Sequence, residues 1–307
     1  MSATVLGGMN ELTVSNDICG DWQALRARLR VDGYIFVRGL LDPALVGLAR
    51  QQAMDALTRS GWMTPDGRPL PPVRTAAATD AGFRGMAIAE ALNRLPYERG
   101  PQQFMGLLAG DGAFVYPVKV PRVVYPDRIA PGHKGRFVHQ DYAVIGKQDM
   151  FTMWMPLQQI PFEMGPLAVL PGSSRIGWAS PRRLSPVEPN WATTYFEPGD
   201  ALIFHCLTWH AALANTTDRV RLSVDVRWQL AADPAPRALI DGPGARQRPH
   251  NRELFSRLFA RKPWWHPVPA SVQTADTIAP PAGAPIQLSR YVDFPAGQRQ
   301  PSQRATH

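Results

Sequence analysis

The middle of the chain alternates between short apolar segments and turn residues. Between Ala113 and Leu230, eight segments of four to ten residues are apolar or alternate between apolar and polar positions: AFVYPVKV, RVVY, RFVHQDY, MFTMWMPL, LAVLP, TTYFE, ALIFH and RLSVDVRWQL. Many short strands separated by turn signals are typical of a β-sandwich or barrel. The connecting sequences GHKG, PGSS and EPGD supply the turn residues. The pattern therefore predicts a β-rich core over about residues 111–230.

The first hundred residues have a different pattern. Trp22 to Val31 shows the apolar spacing of a helix, and the following GYIFVRGLL segment is rich in β-forming residues. A second helix is expected to begin after Asp42, since this residue can cap the helix while Pro43 occupies its first position. We predict a mainly helical part over about residues 1–110 that flanks the β core.

The sequence beyond Leu230 lacks the alternation of short apolar segments and turn residues, and it is rich in Pro and Gly. Within it, NRELFSRLFARKPWW predicts one short amphipathic helix, and the sequence from PASVQTADTIAPPAGAPIQ onward is expected to be extended or disordered. We therefore predict a single domain over residues 1–230 and a Pro-rich C-terminal extension over residues 231–307.

Composition narrows the class of protein further. Of the 307 residues, 45% are hydrophobic and 19% are charged, which favours a folded chain over a disordered one. The sequence has no long apolar run and no signal-peptide pattern, and its two cysteines are too few for a disulfide framework. We expect a cytoplasmic protein without a membrane partner, as a monomer or homodimer. The net charge of +8 comes mainly from scattered Arg residues, so no specific nucleic-acid binding is expected.

The segment RFVHQDY contains the first candidate metal ligands. His139 and Asp141 are two residues apart, and positions i and i+2 of a β-strand project from the same face. The two side chains can therefore chelate one ion together. A hydrogen bond between the two side chains at a strand end is the alternative, and the pair alone does not decide between these interpretations.

A later segment supplies a second imidazole and a cation. His210 is followed eleven residues later by Arg221, at the start of a β-like segment. Two His and one carboxylate on one face of an octahedron leave three positions open, as in non-heme Fe(II) oxygenases. A 2-oxo acid can occupy two of these positions, and an Arg can bind its distal carboxylate through two parallel hydrogen bonds.

The order of several motifs resembles one known family. The sequence blocks are HQD (139–141), TMWMPL (152–157), GPLAVLPGSS (165–174) and PGDALIFH (198–205), followed by His210, Asn215 and Arg221. In this order and spacing they are similar to the phytanoyl-CoA dioxygenase family of Fe(II)/2-oxoglutarate oxygenases, over about residues 20–230. The resemblance implies a mainly β fold with flanking helices, built on a double-stranded β-helix, which is a jelly-roll, cupin-like core.

The resemblance also implies roles for particular residues. His139, Asp141 and His210 would be the catalytic iron ligands, and Arg221 would bind the C5 carboxylate of 2-oxoglutarate. Further contacts to the cosubstrate are implied for Thr152, Trp154 and Lys119. The implied cofactors are Fe(II), 2-oxoglutarate and dioxygen, with ascorbate as a stimulant. One departure is that Ala211 and Ala212 follow the distal His, where the family usually has Gly and a hydroxyl residue; Thr152 would then contribute more to cosubstrate binding.

The implied activity is hydroxylation of an unactivated C–H bond, with release of succinate and carbon dioxide. We expect the substrate to be a small molecule, either a natural-product intermediate or an amino-acid-like compound. Asp141 argues against a halogenase, because related halogenases have Gly or Ala at that position. The alternatives are an acyl-CoA 2-hydroxylase and a β-sandwich binding protein without catalytic activity.

Four residues are assigned by side alternation or left open. His205 lies five residues before His210, an odd spacing that places the two on opposite faces of one extended strand, so His205 is predicted to be structural. Lys119 and Arg122 are also at odd spacing, so at most one of them points inward, and Lys119 is favoured. Arg227 shares parity with Arg221 and faces either the pocket or a surface salt bridge.

Overall fold

The computed structural model describes residues 8–70, 85–86, 89–110, 112–117, 119–127, 138–142, 150–178, 190–240 and 268–275. The predicted helix at residues 251–265 lies outside these ranges. The described strands are β1 (Asn10–Glu11), β2 (Tyr34–Val37), β3 (Ala113–Val115), β4 (Val120–Val124), β5 (Phe151–Pro156), β6 (Leu167–Val169), β7 (Ala192–Thr193), β8 (Ala201–His205), β9 (His210–Ala212), β10 (Arg221–Leu230), β11 (Ala235–Pro236) and β12 (Thr274–Ala275).

The described α-helices are α1 (Trp22–Asp32), α2 (Pro43–Arg59), α3 (Glu90–Arg94), α4 (Arg99–Ala109) and α5 (Arg237–Ile240). Short 3-10 helices span Asn16–Ile18, Leu95–Tyr97, Phe162–Met164 and Ser173–Ile176. The predicted start of the second helix is confirmed, since the Asp42 side chain accepts a hydrogen bond from the Ala44 N–H at 2.9 Å and Pro43 is the first helical residue. No helix in the described part of the chain is long and apolar enough to cross a membrane.

The strands form two main sheets. The larger sheet has the order β2-β8-β5-β10-β3, and β4 pairs with the same edge of β10 as β3 does. The smaller sheet has the order β1-β7-β6-β9. A third pair joins β11 to β12 in the C-terminal extension. The core is thus mainly β with flanking helices, and the predicted jelly-roll class is confirmed.

Side-chain alternation gives the large sheet two different apolar faces. Met153 of β5 and Val226 of β10 belong to the core cluster that α1, α2 and α4 cover. Trp154, one residue along β5, belongs instead to a cluster with Leu167 and Val169 of the smaller sheet. The large sheet is therefore buried between the helices on one face and the small sheet on the other, which explains why β5 is buried at every position.

Strand β10 carries polar residues on the face between the two sheets. Its apolar members, Leu222, Val224, Val226 and Trp228, all belong to the helix-side core. The alternate positions are polar yet buried: Arg221, Ser223, Asp225, Arg227 and Gln229. Buried polar side chains need partners, so this polar face of β10 marks the part of the interior where a polar site can be built.

The described part of the C-terminal extension packs on the domain. Ala235, Val268 and Val272 contact a cluster formed by Phe114, Tyr116, Tyr142, Met150, Cys206 and Leu207. Residues 269–275, which the sequence predicts to be extended or disordered, contribute Val272 to this contact and form β12.

Candidate functional site

Two histidines and one aspartate converge between the sheets. The possible ligand atoms of His139, Asp141 and His210 all lie within 4.8 Å of one another. The His139 Nε2 atom is 3.7 Å from Asp141 Oδ1, and the His210 Nε2 atom is 3.8 Å from the same oxygen. Two imidazole nitrogens and one carboxylate form a donor set that binds divalent transition metals. These three residues can therefore hold one metal ion.

Backbone pairing places the two imidazoles side by side. The His139 N–H donates to the His210 carbonyl at 3.1 Å, and the His210 N–H donates to the His139 carbonyl at 3.0 Å. Their ring centroids are 4.2 Å apart as a result. This single antiparallel bridge replaces the strand predicted for RFVHQDY, because no further strand pairing occurs within residues 138–142, and Asp141 lies in the turn that follows.

The protonation state of His210 suits a metal ligand. Its Nδ1 lies 3.0 Å from the Thr208 carbonyl oxygen, so the neutral ring carries its proton on Nδ1 and directs the Nε2 lone pair at the site. Burial and the neighbouring His139 lower the pKa of His210 to about 4, against the opposing effect of Asp141. His210 is therefore neutral at pH 7 and available to a metal.

Two side chains hold the Asp141 carboxylate. The Thr152 hydroxyl donates to Oδ2, and Arg227 Nη2 lies 3.3 Å from Oδ1 and 3.2 Å from Oδ2. Burial by itself would raise the pKa of Asp141, but Arg227, His210 and the Thr152 hydroxyl outweigh it and hold the pKa far below its usual range. Asp141 is thus an oriented carboxylate anion. The structure places Thr152 on this carboxylate rather than beside Arg221.

A chain of ion pairs continues from Asp141 along β10. Arg227 Nη1 is 3.6 Å from Asp225 Oδ2, and the Nε and Nη2 atoms of Arg122 are each 2.6 Å from that oxygen. Arg227, which the sequence leaves either in the pocket or on the surface, therefore faces the site. Its Nε and Nη1 atoms are buried without a hydrogen-bond acceptor among the described residues.

Arg221 lies at the other end of the polar face. Its Nη1 donates to the Gly165 carbonyl at 2.6 Å, and its guanidinium carbon is 5.7 Å from the centre of the Trp154 ring. Its buried Nε has no hydrogen-bond acceptor in the described part of the chain. Burial lowers the pKa of Arg221 to about 10, so the group stays cationic at neutral pH. A buried guanidinium with an unused N–H is suited to an anion that enters from outside the chain.

Lys119 points inward, as the sequence predicts, since only 4% of the residue is exposed. Its ammonium group donates to the Tyr97 hydroxyl at 2.8 Å and to the Pro117 carbonyl at 3.1 Å, and it lies over the Tyr97 ring. Arg122 is opposite Ser223 in the β4–β10 register and extends on the polar face toward Asp225. Of the two residues, Arg122 is the more exposed, with 43% of its side chain accessible, and the contact of Lys119 with the cosubstrate stays a prediction.

His205 does not join the site, but the reason differs from the one that its spacing suggests, which was the opposite faces of a single strand. It ends β8 in the large sheet, whereas His210 begins β9 in the small sheet, and a turn separates them. Its ring packs edge-on against Phe151, with centroids 5.6 Å apart, and its Nδ1 accepts the Leu207 N–H at 3.2 Å. These contacts agree with a structural role.

Sequence reasoning missed Asp225 and Ser223 as members of the polar face. Asp225 joins Arg122 to Arg227, and the Ser223 hydroxyl accepts a hydrogen bond from the Trp154 indole N–H at 3.0 Å. The signal was present in RLSVDVRWQL, where every second residue is polar. Such a pattern usually marks a solvent-facing side of a strand, and the sequence alone does not show that a second sheet covers it.

Comparisons with known proteins agree with this geometry. The model of the phytanoyl-CoA dioxygenase (PhyH) family matches residues 29–223. The 1-deoxypentalenic acid 11-beta-hydroxylase of Streptomyces exfoliatus is 25% identical over 241 residues, which cover 69% of this chain and 82% of the relative. The enzyme of the same name from Streptomyces arenae is 26% identical over 235 residues, with the same coverage.

Solved structures share the fold. The apo form of the non-heme monooxygenase ThoJ superposes with a TM-score of 0.55 at 18% identity, covering 78% of this chain and 96% of ThoJ. EctD from S. alaskensis with bound Fe gives a TM-score of 0.52 at 18% identity, covering 82% of this chain and 86% of EctD.

Proposed function

The chain belongs to the phytanoyl-CoA dioxygenase family, and on this premise we propose that it is an Fe(II)- and 2-oxoglutarate-dependent dioxygenase that hydroxylates a small molecule. The observation that carries the proposal is the convergence of His139, Asp141 and His210, with all three ligand atoms within 4.8 Å of one another. Burying these three polar side chains costs free energy, and a bound metal ion would offset that cost. A binding protein without a metal would lack this compensation.

The residues present fit a ferrous ion. Two imidazoles and one carboxylate supply three protein ligands and leave positions for exchangeable ones. The Thr208 carbonyl fixes the tautomer of His210, while the Thr152 hydroxyl and Arg227 fix the Asp141 carboxylate. Such supporting contacts orient metal ligands and raise metal affinity.

The residues present also fit 2-oxoglutarate. The unused Nε–H of Arg221 and its cationic charge match the distal carboxylate of this dianion. Ser223 lies two residues along the same face of β10, and its oxygen accepts the Trp154 N–H, which leaves the hydroxyl hydrogen for a carboxylate oxygen. Ser223 thereby offers the hydroxyl that Ala211 and Ala212 lack.

When bound, iron and 2-oxoglutarate supply the oxidising chemistry: dioxygen is split, one oxygen atom enters the product succinate as carbon dioxide is released, and the other enters a C–H bond of the substrate. The chain itself positions the partners and excludes water. Phe204 packs on the His210 ring at 4.5 Å between centroids, and Trp154 is buried beside Arg221. These apolar walls limit solvent access around the ligands.

We propose a small-molecule substrate of the natural-product or amino-acid-like class. The two hydroxylases from Streptomyces, whose name gives 1-deoxypentalenic acid as substrate, support this class over a long acyl-CoA. The acyl-CoA 2-hydroxylase stays the alternative within the family.

Anaerobic reconstitution tests the proposed function. We expect the protein to bind one Fe(II) and, after that, one 2-oxoglutarate, as measured by calorimetry. On exposure to air, the loaded protein should convert 2-oxoglutarate to succinate, and a substrate should accelerate this conversion. Stoichiometric metal without any 2-oxoglutarate binding would exclude the dioxygenase, and the absence of both would favour the non-catalytic binding protein.

The support that Thr152 gives to Asp141 is testable separately. Thr152→Val keeps the size of this buried side chain but removes the hydroxyl that donates to Asp141 Oδ2. We expect Co(II) to bind about tenfold more weakly, because the carboxylate loses a contact that orients it. Calorimetric titration of the apoprotein measures this change. Thr152→Ser, which retains the hydroxyl, should bind Co(II) like the native chain; equal affinity in all three proteins would contradict the assigned contact.

A further inference from the structure

The segment that carries His139 and Asp141 has little regular backbone pairing. Within residues 138–142, the backbone makes a single strand bridge, between His139 and His210. Asp141 lies in the turn after this bridge, where no strand ladder fixes it. The side-chain contacts to its carboxylate act only while the backbone of this turn stays in place. The position of Asp141 therefore depends on what packs around the turn.

Two hydrogen bonds join this turn to the turn between β8 and β9. On one side of Asp141, the Tyr142 N–H donates to the Cys206 carbonyl at 3.1 Å. On the other side, the buried Gln140 side chain donates through Nε2 to the Leu207 carbonyl at 2.6 Å. The two turns are thus connected on both sides of the carboxylate.

The turn between β8 and β9 in its turn orients the third ligand. The carbonyl of Thr208 accepts the Nδ1–H of His210 at 3.0 Å, and His210 Nε2 lies 3.8 Å from Asp141 Oδ1. We call residues 138–142 and 206–209 the ligand turns. A shift of either ligand turn would change the separation of the two ligand atoms.

An apolar cluster includes three residues of the ligand turns. Tyr142, Cys206 and Leu207 are all buried and pack together with Phe114, Tyr116 and Met150. Apolar packing has no preferred direction, so such side chains keep their positions only while the surrounding space is filled. The ligand turns are therefore sensitive to whatever completes this cluster.

The C-terminal extension completes the cluster. Ala235 is one of its buried members, and Ile240, Val268 and Val272 pack against it. The two described pieces of the extension are paired through β11 and β12, where the Ala235 N–H donates to the Gln273 carbonyl at 2.8 Å. Residues far apart in the chain thus cover the ligand turns as one unit.

Polar contacts attach the start of the extension to the strand that holds the Asp141 carboxylate. The Tyr116 hydroxyl donates to Gln229 Oε1, and Gln229 Nε2 donates to the Asp233 carbonyl at 3.0 Å. The Tyr116 N–H also donates at 2.8 Å to the carbonyl of Arg227, whose side chain contacts Asp141. The extension is therefore fixed to the domain by hydrogen bonds as well as by apolar packing.

We propose that the extension is part of the catalytic unit, and that Val272 is a positioning residue that acts on the metal ligands through the apolar cluster and the ligand turns. The inference rests on the metal site of the proposed function and adds a segment beyond residues 29–223, which the family model matches. Loss of apolar volume beside a packed cluster leaves a cavity or lets its members shift. Metal affinity depends on how firmly the ligands are held, so such a loss weakens metal binding.

Calorimetric titration of the full apo chain with Co(II) tests this role. Val272→Ala removes two methyl groups, and we expect it to bind Co(II) about tenfold more weakly than the native chain. Val268→Ala changes a second position of the same segment and should also weaken Co(II). Val272→Ile retains the apolar contact and should bind Co(II) like the native chain.

The visible absorption spectrum of bound Co(II) gives a readout that a merely structural residue would not change. At saturating Co(II), the absorption bands report the number and arrangement of the ligands. We expect the bands of Val272→Ala to differ from those of the native chain, because Asp141 is held less firmly. Val272→Ile should restore the native bands.

Val123→Ala is the matched control. Val123 has intermediate exposure, like Val272, but packs against the helix-side core. The same chemical change at this position should lower the melting temperature of the apo chain through lost apolar contact, while the Co(II) affinity and the absorption bands stay native.

Native Co(II) affinity and native bands in both Val272→Ala and Val268→Ala would overturn the inference. An equal loss of affinity in Val123→Ala would also overturn it, since the effect would then be one of general stability. Failure of the native chain to bind Co(II) would overturn the inference together with the proposed function. Co(II) binding that depends on Val272, in a chain that binds no 2-oxoglutarate, would support the inference and overturn the proposed dioxygenase.

Discussion

Replacing His210 with Ala is expected to abolish stoichiometric metal binding. The substitution removes one of three protein ligands from a buried site, and the two remaining ligands hold a divalent ion far more weakly, by about a hundredfold or more. Burial keeps the pKa of His210 near 4, so protons do not compete with the metal at pH 7 and the comparison measures ligation alone. Calorimetric titration with Co(II), under anaerobic conditions for Fe(II), measures the loss.

The control for this prediction is a histidine of similar burial outside the site. His205→Asn retains a hydrogen-bond acceptor for the Leu207 N–H and should leave Co(II) affinity intact. Thermal unfolding gives an independent readout, because a ligand that binds only the folded state raises the melting temperature. Metal should stabilise the native chain and His205→Asn but not His210→Ala. Metal binding at native affinity in His210→Ala would exclude the assigned ligand set.

Replacing Arg221 with Met is expected to weaken 2-oxoglutarate about a hundredfold while leaving metal affinity unchanged. A charge-assisted, two-pronged hydrogen bond to a carboxylate contributes about 1.5–3 kcal/mol, and Met offers no donor in its place. Arg221→Lys should recover part of the affinity, because it restores the charge without the planar fork. Calorimetry on the Ni(II)-loaded proteins measures these affinities.

A cosubstrate analogue shows whether Arg221 acts on the distal carboxylate. 2-Oxopentanoate has the chain length of 2-oxoglutarate but lacks the C5 carboxylate. The native chain should bind 2-oxoglutarate much more tightly than the analogue, and Arg221→Met should bind the two about equally. If Arg221→Met retained the native preference, the C5 carboxylate would be bound elsewhere and the assignment of Arg221 would be wrong.

The fold class and the candidate metal ligands were predictable from sequence, for physical reasons that can be named. Short apolar segments between turn residues have few stable arrangements other than paired sheets, and these sheets are present. His139 and Asp141 are close in the chain, so their proximity depends little on the rest of the fold. His210 and Arg221 required the resemblance to a family, since nothing local in the sequence brings residue 210 to residue 139.

The supporting residues were not predictable in the same way. Thr152 was expected beside the cosubstrate carboxylate and donates to Asp141, while Lys119, which is buried as expected, contacts Tyr97. The position of Thr152 depends on strand register, because it lies opposite Arg227 on β10. A shift of one residue in this register would change the face on which Thr152 lies.

The sequence by itself determined that this chain forms a β-rich core and that His139 and Asp141 can chelate one ion together, because period-two alternation and ligand chemistry are properties of the residues. Only the tertiary structure decided that the polar face of β10 lies inside. Alternation separates the two faces of a strand but does not state which face is covered, and here a second sheet covers the polar one. That packing buries Arg221, Asp225 and Arg227 between the sheets, and leaves Arg122 partly exposed at the edge of the polar face.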